Sequence, residues 1–322
     1  MATLPIWSNA LLILASAVLL ALAAKVVVDA AVALARRLGI SELVVGLTVV
    51  AAGTSAPEFG VTLVAAFQGQ NEISVGNIVG SNIFNLGFIL GGAALLGSIP
   101  TSRDVVWRDA AVLVGSSLLL LFLVGSDLTL DHRDGWIFLG LLVTYLFVIW
   151  FQRRDQAAVL VEKTSEGARR PPPFREFGRL VAGLASVGMA SHVLVRSATL
   201  VARDLGVSDW VIAVTIIAAG TSLPEFATTV VGFLRKHHAI GFGNIIGSDI
   251  FNLLGVLGLA GVLERMELQP SAQGSLLALS AMAILTLAMM RSGWRLTRME
   301  GLVLIVVGAM RWVLDMLPNP PG

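Results

Sequence analysis

The sequence predicts an all-α polytopic membrane protein with ten transmembrane helices, arranged as two inverted five-helix repeats. Three observations carry that expectation. Charged residues are only 13% of a 322-residue chain that is 56% hydrophobic, with a mean hydropathy of +0.84. A soluble domain is about one-quarter charged. Long apolar runs recur along the chain, each able to cross a bilayer. The third observation is an internal duplication at a fixed offset of 167 residues.

Apolar runs between polar breaks predict helices over 8–35, 42–68, 73–97, 105–125 and 134–151, then 180–203, 208–234, 240–263, 271–290 and 298–316. The polar, basic, triple-proline stretch 152–179 reads as a linker between the halves 1–151 and 180–322. At 28 residues it is too short for a folded sensor domain. The first apolar run could be mistaken for a signal peptide. No Lys or Arg precedes it, however, and it has a counterpart in the second half: "LARRLGISELVVG" matches "VARDLGVSDWVIA".

An odd number of spans per half inserts the second half upside down. The loop charges agree. With the N-terminus outside, sixteen Lys and Arg fall on inside loops and four outside. The positive-inside rule therefore puts both termini on the non-cytoplasmic side of the cell (inner) membrane and the linker in the cytoplasm. A net charge of +1 gives no footprint for nucleic acid. No phosphate-binding loop appears, so no nucleotide is expected. The absence of cysteine excludes disulfides and thiolate metal sites.

The duplication is densest at 51–86 and 218–253, where at least half of the 36 positions are identical. "AAGTSAPEF" recurs as "AAGTSLPEF", and "GNIVGSNIFN" as "GNIIGSDIFN". Glu58 and Glu225 lie near the centres of their spans, with no Lys or Arg in the surrounding apolar sequence. A carboxylate at membrane depth needs a partner and marks function by default. A proton, a cation, or the other glutamate through a shared proton remain, and inverted symmetry brings the two together. Pro57 and Pro224 remove a helical N–H and crowd the carbonyls of Gly53 and Gly220. Thr54 and Glu58 share one helix face, as do Ser81 and Asn85, and Ser248 and Asn252. Hydroxyl, amide, carboxylate and backbone oxygens, without His or Cys, suit Ca²⁺ with Na⁺ as competitor. Asp249, one residue beyond Ser248, is expected to point away from the site. Lys25 with Asp29 and His192 with Arg196 read as local side-chain pairs at i, i+4.

The paired motifs GTSxPE and GNxxGSxxxN, one set in each half, resemble the α-repeats of the calcium/cation antiporter superfamily, and most of all the prokaryotic sodium/calcium exchangers. That resemblance implies exchange of Ca²⁺ for Na⁺ by alternating access, with H⁺/Ca²⁺ exchange as the alternative and a passive channel behind it. It implies no catalysis, no cofactor, and a monomer partnered only by ions and lipid. By the same resemblance Glu58 and Glu225 bind Ca²⁺ and serve Na⁺, and Thr54 and Thr221 join the Ca²⁺ and outer Na⁺ sites. Ser55, Ser222, Ser81 and Ser248 line Na⁺ sites, while the carbonyls of Ala51 and Ala218 add ligands. Asn85 sits in the central site opposite Asn252, where many relatives carry Asp. The first and sixth helices slide against a rigid core. A serine hydrolase built on Ser55 or Ser222 fails for want of a base; His192 is the one membrane histidine, and Lys25 stands at its repeat position.

Overall fold

A computed structural model of the chain describes residues 6–161, 173–206, 216, 218–270 and 272–316. Its helices are α1 (Ile6–Leu38), α2 (Glu42–Thr54), α3 (Ala56–Phe67), α4 (Asn71–Leu96), α5 (Val105–Gly125) and α6 (His132–Val161). They continue with α7 (Pro173–Asp204), α8 (Leu223–Leu234), α9 (His238–Leu263), α10 (Ala272–Arg291) and α11 (Arg298–Met316). Seven of these are long and apolar enough to cross a membrane, or eight when the bent pair α2–α3 counts as one span. The span expected over 208–234 lies partly outside the described residues.

Two boundaries differ from the sequence reading. Helix α6 runs on to Val161 and α7 begins at Pro173, so both enter the stretch assigned to a linker. The remainder of that stretch, 162–172, lies outside the described residues. The all-α expectation also omits four two-residue strands: β1 (Ile99–Pro100), β2 (Thr129–Leu130), β3 (Met266–Glu267) and β4 (Arg295–Leu296). β1 pairs antiparallel with β4, and β2 with β3. Each pair clasps a loop of the first half to one of the second. Both clasps join loops that the charge rule puts on the same membrane side.

Apolar side chains form two separate cores. The larger lies along α4, α5, α9 and α10, with Ile78, Leu86, Leu90, Leu113, Leu253, Leu257 and Leu279 buried. The smaller lies between α1 and α7, where Ala24, Val27, Val28 and Ala31 meet Leu180, Val187 and Ala190. Small residues let these two helices approach closely, the usual basis of packing where lipid removes the hydrophobic drive between helices. A Cβ on Gly183 would strike Val27. The α1–α7 pair is the centre of this smaller core, which Val45 and Val50 of α2, Ala227 of α8 and Ile240 of α9 complete. Its outer face, including Leu11, Leu14, Val18 and Met189, is exposed as lipid contact requires.

The larger core crosses itself at glycine pairs. α9 passes α6 where Gly258 and Gly261 meet Gly135, and α4 passes α11 where Gly91 meets Gly301. Gly91 and Gly258 occupy equivalent positions of the two repeats.

Candidate cation site

Both GTSxPE segments break their helix at the serine. Ser55 has φ −75° and ψ 7°, and Ser222 has φ −86° and ψ 7°. Pro57 and Pro224 each occupy the first turn of the helix that follows, where a missing N–H costs nothing. The axis bends by 47° between α2 and α3. Gly53 serves packing as well as bending, because a Cβ there would collide with Leu184 of α7. Gly220 likewise faces Val195 of α7.

The breaks cross each other. Ser55 Oγ donates to Glu225 Oε1 at 3.1 Å, and Ser222 Oγ donates to Glu58 Oε1 at 3.1 Å. Each glutamate thus takes its hydrogen bond from the other half, and both are fully buried. Glu58 Oε2 and Glu225 Oε2 have no hydrogen-bond partner among the described residues. Removing one such serine hydroxyl costs about 1–3 kcal/mol of support for a buried acceptor. Ser55→Ala is therefore expected to weaken Ca²⁺ binding about tenfold, as read by isothermal titration of the purified protein.

The helices that follow supply amides. Asn77 Nδ2 lies 3.3 Å from the Glu58 carbonyl and 3.1 Å from Thr62 Oγ1. Asn244 Nδ2 repeats this on Glu225 and Thr229, both at 3.3 Å. These asparagines hold the carbonyl of each glutamate while Thr62 and Thr229 steady them. The sequence reading passed over all four, although each is identical with its counterpart at the repeat offset, which was the available signal.

Asn85 and Asn252 sit in π-helical stretches, Asn85–Leu90 and Phe251–Leu257. Such stretches are enriched at functional sites because they leave backbone and side chains off the regular ladder. Asn85 Nδ2 donates to Asp249 Oδ1 at 2.9 Å, and Asn252 Nδ2 donates to Asn82 Oδ1 at 3.2 Å. Ser81 Oγ is 3.5 Å from the same Asn252 nitrogen. The carbonyl oxygens of Asn85 and Asn252 have no donor. Asp249 is fully buried and bonded to Asn85, which corrects the expectation that it points away. Every residue from Ile240 to Ile250 is buried, so α9 has no outward face for the acid to occupy.

The two halves differ in one respect. The Thr54 hydroxyl lies 2.9 Å from Asn244 Oδ1, 3.2 Å from the Ala51 carbonyl and 3.3 Å from Ser248 Oγ. Ser248 Oγ also reaches the Ala51 carbonyl at 3.4 Å. Thr221 Oγ1, the equivalent atom, has no partner. It lines a cavity of about 590 Å³ together with Pro57, Gln68, Gln70, His192 and Gly220. Ala218 opens the short turn that leads to this threonine. Thr54 is thus fully buried, whereas Thr221 is half-buried and borders the cavity with its hydroxyl turned inward. A cysteine-free chain makes this testable. Thr221→Cys is expected to react in detergent with a small thiol reagent, and Thr54→Cys to be protected.

His192 lines that cavity, and no bond to Arg196 holds it in the described contacts. The expected Lys25–Asp29 pair is replaced by a longer-range one. Asp29 of α1 meets Arg235, at the end of α8, with Nη2–Oδ1 at 3.2 Å. Most of the second-half counterpart of α2, residues 209–215 and 217, lies outside the described residues.

Glu58 and Glu225 lie in a buried network of serine and threonine hydroxyls and asparagine amides, with no basic side chain among the groups bonded there. That donor set suits a hard cation. Among the described residues no group of three His, Cys, Asp or Glu side chains is placed to hold one metal ion. The sequence matches the family described as sodium/calcium exchanger protein over residues 8–151 and again over 176–308. The chain belongs to that family. It is 38% identical over 304 residues to the putative antiporter CaxA of Alkalimonas amylolytica, covering 91% of this chain and 94% of that protein. It is 30% identical over 337 residues to the sodium/calcium exchanger MaX1 of Methanosarcina acetivorans, covering 92% and 95%. The inner membrane protein YrbG of Escherichia coli is 34% identical over 315 residues, covering 94% of each. The fold matches that of the sodium-calcium exchanger NCX_Mj with a TM-score of 0.81 at 25% identity, over 95% of this chain and 97% of that one.

Proposed function

We propose that the chain is a secondary antiporter that exchanges Ca²⁺ for Na⁺ across the cell membrane by alternating access. One observation carries this reading. Two buried glutamates, each bonded to the serine of the opposite half, keep one oxygen without a donor and have no basic partner among the described residues. A single Ca²⁺ or several Na⁺ can balance two carboxylates, but hardly both at once, so the ions compete for one charge. Family membership and the likeness to MaX1 support the same pair of ions.

Glu58, Glu225, Thr54 and Thr221 would hold Ca²⁺, with Ser55, Ser222, Ser81 and Ser248 and the carbonyls of Ala51 and Ala218 serving Na⁺. Asn85 and Asn252 would fill the central position. Ten spans in two five-helix repeats, inverted relative to each other, are the layout the duplication supports, with both termini outside and the linker inside. The clasps β1–β4 and β2–β3 fit it, since each joins loops assigned to one side. On that assignment the cavity at Thr221, rimmed by Gln68 and Gln70, opens outward. The α1–α7 pair, joined by close small-residue packing of one helix on the other, is the element that would move. The protein would act as a monomer and need no cofactor or nucleotide.

The test is ⁴⁵Ca²⁺ uptake into proteoliposomes driven by an outward Na⁺ gradient and, separately, by an outward H⁺ gradient. Uptake driven by Na⁺ supports the reading. Uptake driven only by H⁺ makes the protein a proton/calcium exchanger and removes the Na⁺ roles of the serines. Uptake that needs no counter-gradient and shows no exchange makes it a channel.

A further inference from the structure

One loop cluster takes no part in the cation site. The clasp β1–β4 joins the α4–α5 loop to the α10–α11 loop, and beside it arginine and tryptophan side chains from both halves stack. Arg291, the last residue of α10, places its Cζ 5.2 Å from the ring centre of Trp107 and 5.8 Å from that of Trp294. Arg103 also lies over the Trp294 ring, at 5.6 Å. All three separations are within the roughly 6 Å reach of a cation–π contact. α5 begins at Val105 and α10 ends at Arg291, so the stack sits where two apolar spans end. Trp294 has φ 54°, a left-handed backbone that crowds a bulky side chain, and its carbonyl accepts from Thr101 N–H at 2.9 Å. The duplication does not call for the stack. At the offset of 167, the positions of Arg103, Trp107, Arg291 and Trp294 hold Pro270, Gly274, Val124 and Asp127.

A guanidinium lying over a ring keeps its N–H donors in its own plane, pointing past the ring edge. Arg103 and Arg291 are both exposed, and neither forms an ion pair with a carboxylate among the described residues. Two acids lie close by in the chain. Glu300 accepts from Ser292 and Thr297, and Asp104 forms no ion pair among the described residues. Trp107 is 56% exposed, and an indole at the end of a span belongs at headgroup level. Two forks of donors beside an exposed indole fit a phosphate that carries acyl chains, since arginine grips phosphate oxygens in pairs. We propose that Arg103 and Arg291, stacked on Trp107 and Trp294, bind the headgroup of an anionic phospholipid that bridges the two halves of the chain beside the β1–β4 clasp. On the topology proposed above, this lipid belongs to the cytoplasmic leaflet, whose anionic headgroups draw Lys and Arg. The site stands whether or not the glutamates bind Ca²⁺. Charge alone attracts such lipids without placing them. The stack adds direction, because a guanidinium held flat loses little freedom on binding.

The experiment titrates dioleoylphosphatidylglycerol and, separately, dioleoylphosphatidylcholine onto the purified full-length protein in detergent, and counts bound lipid by native mass spectrometry. The two lipids share their acyl chains and differ in net charge. The first phosphatidylglycerol is expected to bind with a Kd about twenty-fivefold below that of phosphatidylcholine, at about fivefold for each guanidinium. Arg103→Gln and Arg291→Gln should each lower that preference about fivefold, and the double variant should abolish it. Arg295→Gln and Arg298→Gln remove the same charge from the neighbouring loop and helix start, at residues that lie over no ring among the described ones. They should leave the preference within about twofold. Arg103→Gln keeps the test open if a change at Arg291, which touches both rings, prevents folding. Equal losses from all four arginines would reduce the effect to general charge attraction and overturn the proposal. Equal binding of the two lipids would overturn it too. So would displacement of bound phosphatidylglycerol by inorganic phosphate at equal concentration, which would make this a site for free anions.

Discussion

Glu58→Gln is expected to lower gradient-driven Ca²⁺ uptake at least a hundredfold, and Glu225→Gln to do the same. Each glutamate supplies half of the charge at the centre, in surroundings with little water to screen it. Losing one charge there weakens a divalent ion by more than about 3 kcal/mol, which exceeds a hundredfold in affinity. Glutamine preserves the fold, because its own Oε1 can still accept from Ser222 or Ser55 as the carboxylate does at 3.1 Å. Normal abundance and a monodisperse elution profile, with uptake lost, would therefore locate the defect in ion binding. Uptake retained above one-tenth in either variant would mean that the ion is held elsewhere. The two variants should match, since the two halves place their glutamates in mirrored bonds. A strong difference between them would show that one half carries the chemistry.

Gly135→Leu is expected to prevent folding altogether. A Cβ at Gly135 would lie within 2.7 Å of backbone atoms of Gly258 and Gly261, and backbone cannot swing aside as a side-chain tip can. Separating α6 from α9 to make room would open the larger core, at a cost of several kcal/mol from lost packing. Gly140→Leu on the same helix is the control, since no atom lies within 4 Å of the added carbon. Chromatography of the two variants after membrane extraction decides it. Aggregated or absent Gly135→Leu beside well-behaved Gly140→Leu is the expected outcome. Equal behaviour would mean that the α6–α9 crossing is looser than its geometry.

Much of the site was legible because duplication prints the same residues twice. Glu58 with Glu225, Ser55 with Ser222, and Asn85 with Asn252 could be singled out as pairs, and a carboxylate at membrane depth announces a partner. The breaks at Ser55 and Ser222 follow from proline and glycine, whose backbone limits are local. What could not be read was which half each side chain serves. Ser55 bonds Glu225 rather than Glu58, and Ser222 bonds Glu58, because the two broken helices cross. Asp249 failed for a related reason. Face arguments assume a helix with one buried side, and α9 is buried all round over Ile240–Ile250, so pointing away from one partner meant meeting another.

The sequence by itself determined the membrane class, the repeat, the broken helices and the chemical type of the donors, since these depend on composition and on contacts within a few residues. Only the tertiary structure decided that Asp29 reaches Arg235, that Gly53 makes room for Leu184, and that Thr54 is fully buried while Thr221 borders a cavity. Those are distances between segments far apart in the chain. They are set by how small residues let whole helices approach, and no local periodicity encodes which helix arrives.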